Sequence, residues 1–388
     1  MSDFPTTDFR RAFVAHTDSR RSAEAAEVVA LLLAGFLNGA DVAEWLGFDL
    51  GELESLLIEL GLSGAAMTPV AIDDELNTYY FDLGRSAFAA PRFDDVVDFH
   101  RPSGAPTAAV ARFRLPMSSV LGATAAAPLP CPAALVFHVG RCGSTLLCNL
   151  LASVDGWVTL KEPEFVNGAL LRLAAEADPI RRERLGTLVA LLLRSLAHGV
   201  RIRADGRERA CIVKFTSWNV LLADEFIRRL DPIPLVVLTR DPWATVASLL
   251  HEPPHWYGPP PKPAATRSSA RADHLEAARF FAAAWTCMAD RALRLPAART
   301  LFVSYPELVR DPMAALGRVC RHLGHGRPGP NIETVGEVAR RYSKSASGEQ
   351  FEPLGKHHRD ELDAEARDLV ATITAGKWSE LANRTQSG

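Results

Sequence analysis

Five short apolar runs punctuate the last two thirds of the chain, each ending abruptly in glycine, charge or a turn. They are Ala133–Val139, Trp157–Leu160, Ala210–Phe215, Ile233–Thr239 and Arg299–Ser304. Continuous apolar and β-branched runs of this length read as strands covered on both faces, the pattern of a parallel sheet. Between them the apolar residues recur at helical spacing: Leu146, Leu147, Leu150 and Leu151, then Val166–Ala175, Arg181–His198, Arg271–Arg294 and a helix ending at Leu323-Gly324. Ser144 is expected to cap the first of these helices, and Asp241, with Pro242 at the first helical position, opens another. Alternating strands and helices predict an α/β domain with a central parallel sheet, whose ligands bind at the carboxyl ends of the strands.

The first hundred residues read differently. Val28–Leu37 and Val42–Leu46 predict helices, and Asp49 would cap a third with Leu53, Leu56, Leu57 and Leu60 on one face. From Ser22 to Gly84 there is no Lys or Arg, against twelve Asp and Glu. Three helices invite a DNA reader, but duplex binding needs cations to neutralise phosphates, and the charge excludes it. A small, mainly helical acidic domain over residues 1–100 is expected, with Tyr79, Tyr80 and Phe81 in its core. It serves either as a packed appendage or as a surface for partner docking or self-association. Residues 101–132, rich in Pro, Ala, Ser and Gly, are expected to form a linker, and 133–388 the second domain.

Bulk properties narrow the picture. The 388 residues carry a net charge of -3, so no overall field gathers nucleic acid or anionic membrane. No apolar run of 18 residues and no hydrophobic leader stand in the sequence, which predicts no membrane span and a cytoplasmic location. Six scattered cysteines without CxxC pairs suggest neither a zinc site nor a disulfide framework.

The candidate chemistry starts at Gly140-Arg141-Cys142-Gly143-Ser144-Thr145. A strand, a glycine turn and a helix start bring unpaired N–H groups and the helix dipole to one spot, which makes a phosphate cradle. It lacks the four-residue glycine spacing and the Lys of an ATP-type loop. The segment resembles the sulfotransferases that use 3′-phosphoadenosine 5′-phosphosulfate (PAPS), whose loop reads Arg/Lys-Ser-Gly-Thr-Thr, with Cys142 and Ser144 as departures. Arg240-Asp241-Pro242 through Ser248 matches that family's Arg-x7-Ser grip on the 3′-phosphate. A guanidinium and a hydroxyl are apt partners for a phosphate, and ATP has no 3′-phosphate to occupy them.

The resemblance extends more loosely elsewhere. Lys214-Phe215-Thr216-Ser217-Trp218-Asn219 is similar to a Lys-Thr-Pro-x-Asn segment without its Pro, and implies that Lys214 offsets charge on the leaving phosphate. Glu162, 21 residues after Arg141 at a strand end, takes the place of the family's catalytic base, with Glu164 or a histidine as alternatives. Tyr305 opens a segment like the family's Tyr-Glu-x-Leu-Val-x-x-Pro and either contacts the adenosine or packs as a core aromatic; Lys344 falls where a basic loop closes over the nucleotide. Glu252–Pro263, proline-rich with His255, Trp256 and Tyr257, is neither helix nor central strand and reads as a lid over the acceptor. Trp378 is expected to anchor the C-terminal segment.

The expectation is therefore a three-layer P-loop α/β domain carrying out sulfuryl transfer from PAPS, without a metal, to a hydroxyl of a small molecule, lipid or saccharide. Alanine-, arginine- and proline-rich usage suggests a bacterial source. Two alternatives stand: an ATP-dependent small-molecule kinase on the same fold, and a non-catalytic nucleotide-binding adapter.

Overall fold

A computed structural model describes residues 22–37, 39–59, 67–81, 83, 92–99, 111, 113–123, 129–201, 208–230, 232–257, 267–324, 332–340 and 362–386. Its N-terminal part runs α1 (Ser22–Leu33), α2 (Gly39–Leu46), α3 (Leu50–Glu59), β1 (Thr68–Ile72), β2 (Thr78–Phe81), α4 (Phe93–Phe99), β3 (Phe113–Leu115) and α5 (Met117–Gly122). Then come β4 (Ala134–His138), α6 (Ser144–Ala152), β5 (Trp157–Lys161), α7 (Glu164–Ala175), α8 (Pro179–Gly199), β6 (Ala210–Lys214) and, after a 3-10 segment over Ser217–Leu222, α9 (Ala223–Ile227). The chain finishes with β7 (Leu235–Thr239), α10 (Pro242–His251), α11 (Arg267–Leu293), β8 (Thr300–Ser304), α12 (Tyr305–Arg310), α13 (Pro312–His322), α14 (Ile332–Arg340) and α15 (Ala364–Gln386).

The five apolar runs are the five strands of a parallel sheet, in the order β5-β6-β4-β7-β8, with helices flanking it. Every residue of β4, β5 and β7 is buried, as strands covered on both faces require. Leu135 pairs with Leu235 and His138 with Leu238, while Leu238 pairs with Val303. This direct register ends β4, β7 and β8 at the same level. The turns that follow them, at Val139, Arg240 and Tyr305, therefore cluster at one edge.

Two compact units partition the chain. One takes Met1–Ala133, Gly156–Val213 and Glu225–Ile233; the other takes Ala134–Asp155, Lys214–Asp224 and Pro234–Gly388. In the first, Asp49 and Glu52 cap α3 reciprocally, each backbone N–H donating to the other's carboxylate at 2.8 and 2.9 Å. Helices α1 to α3 are joined there by an antiparallel sheet, β1-β2-β3, which periodicity alone did not predict. Its strands are only five, four and three residues long, and β2 finds β3 more than thirty residues downstream. Part of the stretch expected as a linker thus forms β3 and α5, because Phe113 and Leu115 bury against that sheet. Tyr79 and Tyr80 are buried, and Tyr80 stacks on Phe113 with ring centroids 5.1 Å apart.

In the second unit α10, α11 and α15 share a core of Val246, Leu249, Ala278, Phe281, Ala366 and Val370. Trp285 is fully buried in α11 and meets Trp378 of α15 edge-on at 6.3 Å, which ties down the C-terminal helix. Helix α11 begins four residues before the expected Arg271. Of the proline-rich stretch, 255–257 forms one 3-10 turn, and 258–263 lies outside the described residues. Among the described residues no helix is long and apolar enough to cross a membrane.

Candidate active site

The second unit holds the glycine turn. Gly140, Arg141 and Gly143 all have left-handed backbone, with φ of +93°, +49° and +76°. Glycine adopts this freely, whereas Arg141 carries a strain of about 1–2 kcal/mol. A side chain at Gly143 would also bring a Cβ within 3.1 Å of the Tyr305 ring and 3.2 Å of Leu308. Here the structure corrects one expectation: Gly143, not Ser144, is the N-cap of α6, and among the described residues no side chain caps that helix. Ser144 cannot cap because its backbone is already helical. The α6 start, nine residues of helix behind it, therefore offers its first amides to an anion. Ser144 and Thr145 sit in the first turn, both buried.

Cations gather around this turn. Arg240 follows β7, donates from Nη1 to the Arg141 carbonyl at 2.8 Å, and lies 4.4 Å over the Tyr305 ring centroid. Tyr305 in turn covers Gly143, so Arg240, Tyr305 and the turn form one packed group. Lys214, the last residue of β6, is only 2% exposed. Burial pushes the Cys142 thiol up to about 12 despite the opposing pull of Lys214 and Arg240. The fields of both cations thus reach the turn, while the thiol stays protonated and chemically quiet. Ser248 sits half-buried on α10, whose N-cap Asp241 accepts from the Ala244 N–H at 2.9 Å. That cap leaves Asp241 committed, as a kinase-type metal carboxylate would not be.

Three long-range contacts, made by His138, Glu252 and Asp94, escaped the sequence reading. His138 ends β4; its Nδ1 accepts from the Gly140 N–H at 3.2 Å, so its Nε2 carries the proton and donates to the Phe215 carbonyl at 3.0 Å. One imidazole therefore ties the turn to the residue beside Lys214, and stacking of Phe137 on Phe215 at 4.8 Å reinforces the tie. The only signal was a lone polar residue inside an apolar strand. Glu252, just past α10, holds Arg141: Nη2 of Arg141 meets Glu252 Oε2 and the Glu252 carbonyl, both at 2.6 Å. Nothing local links positions 111 residues apart. Asn219 accepts from the Thr216 N–H at 2.7 Å, and its fully buried Nδ2 has no partner among the described residues.

Glu162 belongs to the first unit. It follows β5 directly, is half-buried, and has φ of +54°. Glu164 is exposed and turned to a local task, accepting from the Asn167 amide at 3.0 Å. Asp94, also of the first unit, accepts from the Glu164 N–H at 3.1 Å, and burial, with the charges of Glu164 and Asp98, pushes its carboxyl up to about 6. Lys344 lies outside the described residues. Arg141, Lys214, Arg240, Ser248 and Tyr305 are thus all carried by the unit with the turn; Glu162 is not.

Residues 132–327 match a family model described as the sulfotransferase family. Among solved structures, the chain is similar to the sulfotransferase domain of the Synechococcus olefin synthase (20% identity, TM-score 0.37, covering 63% of this chain and 95% of that one). It is similar to a sulfotransferase from Mycobacterium avium (16%, 0.42, 68% and 79%) and to a mouse sulfotransferase complexed with PAP (14%, 0.38, 66% and 88%). No curated protein matches.

Proposed function

Since the chain belongs to the sulfotransferase family, we propose that it moves the sulfuryl group of PAPS to a hydroxyl of a small-molecule, lipid or saccharide acceptor. The observation that carries this reading is one unit's uncapped helix start with Arg141, Lys214 and Arg240 beside it. A polyanion is what such a group of donors suits. Arg141, the turn amides, Ser144 and Thr145 would hold the 5′-phosphosulfate, and Arg240 with Ser248 the 3′-phosphate. Tyr305 would flank the adenosine. Lys214 would offset charge as the bridging oxygen leaves, and Glu162 would take the acceptor proton. Such transfer relies on in-line positioning and electrostatic clamping.

A thermal shift tests it. Adenosine 3′,5′-bisphosphate at 100 times its dissociation constant should stabilise the chain by about 2.7 kcal/mol. ADP with Mg²⁺ should do much less. Stabilisation by ADP alone would overturn the reading in favour of a kinase.

A further inference from the structure

Asp94 lies on the short helix α4 of the first unit, and its Oδ2 accepts the Glu164 N–H at 3.1 Å. That amide opens α7, whose N-cap residue, Pro163, supplies no side-chain acceptor. A carboxylate 70 residues back in sequence thus does the work of a local cap. Alongside it the Phe93 ring meets Phe165 edge-on at 5.9 Å, so α4 holds the first two residues of α7. Asn167 secures Glu164 from a third side at 3.0 Å. Immediately before this corner stands Glu162, whose φ of +54° persists only where its surroundings over-determine it.

We infer that Asp94 is a positioning residue: through the Glu164 amide it holds the Lys161–Glu164 corner and thereby the left-handed backbone that carries Glu162. The inference rests on reading Glu162 as the base. Burial and the like charges of Glu164 and Asp98 disfavour the Asp94 anion, while the Glu164 N–H favours it.

The test compares the full native chain with D94A, D94N, D94E and E162Q. Three quantities are read: release of adenosine 3′,5′-bisphosphate from PAPS as its sulfuryl group passes to water, leaving as sulfate, or to the hydroxyl of an added phenol, alcohol or sugar; the bisphosphate dissociation constant; and amide exchange over residues 161–166. D94A should slow release about tenfold, expose the Glu164 amide to exchange, and leave bisphosphate binding within about twofold, because only the corner moves. D94N, whose amide oxygen can accept the same N–H, should restore release to within about threefold. Should D94A fail to fold, D94E keeps the comparison: a carboxylate displaced by one methylene should slow release without weakening binding. Unchanged release in D94A, or in D94E if D94A is unfolded, overturns the inference. So does a loss matched by weaker bisphosphate binding, or no rescue by D94N. If E162Q leaves release untouched, the base assignment fails and the inference with it, whatever Asp94 does. If the native chain binds no bisphosphate, or binds it without releasing any from PAPS to water or to any of the added hydroxyl acceptors, the transfer reading fails first.

Discussion

Two turns in this molecule share one plan and end differently. Each follows a fully buried strand, passes through left-handed backbone, and opens a helix that its own N-cap residue does not cap: β4 to α6 through Gly143, and β5 to α7 through Pro163. At the first, no side chain among the described residues accepts from the helix start, and three cations stand beside the turn. At the second, a distant carboxylate, Asp94, already occupies the first amide. The difference teaches that strand, turn and helix do not by themselves make an anion site. What decides it is whether the chain spends its own acceptor on the amides. One turn keeps its first amides unbonded among the described residues, and at the other Asp94 takes one of them.

The comparison can be broken at either turn. The largest effect is expected from Glu162→Gln, which should lower turnover of PAPS by about 10²–10⁴ while bisphosphate affinity stays within about twofold. Stopped-flow or coupled release assays check the first, calorimetry the second. Gly143→Val comes next. Its Cβ would meet the Tyr305 ring at 3.1 Å on a backbone with φ of +76°, so bisphosphate binding should weaken about 10- to 100-fold in a chain that keeps its circular dichroism.

Asp94→Asn sharpens the contrast through stability. The folded carboxyl titrates near 6 against 3.8 in the unfolded chain, so the folded state holds its proton more tightly. Its stabilising contribution is complete below the unfolded value and is lost as pH rises through about 6. The native chain should therefore lose on the order of 1–3 kcal/mol from this residue between pH 4 and 7.5, a loss that Asn does not share. Urea unfolding of both proteins at the two pH values measures it.

Glu252→Gln is the mildest. Freed from a half-exposed ion pair, Arg141 should bind bisphosphate about two- to fivefold more tightly at low salt, and the gain should shrink at high salt. An unchanged constant at both salts would mean that Glu252 does not compete with the ligand.

Local order is legible where a pattern is its own cause, though not at Ser144, where Gly143 takes the N-cap position instead. Leu235–Thr239 is continuous and apolar because a strand covered on both faces has no wet side, and Asp241-Pro242 starts α10 because both suit a helix's unsatisfied end. Asp49 and Glu52 cap α3 for the same local reason. The sheet of β1, β2 and β3 was not legible, since strands this short declare themselves only when paired. Nor were three long-range contacts: His138 to Phe215 across 77 residues, Glu252 to Arg141 across 111, and Asp94 to Glu164 across 70. Sequence alone determined which residue types stand at the strand ends and hence the class of anion they suit. Only the tertiary structure decided which helix start keeps its amides and which surrenders them, because a hydrogen bond depends on distance in space, and no periodicity along the chain records that distance.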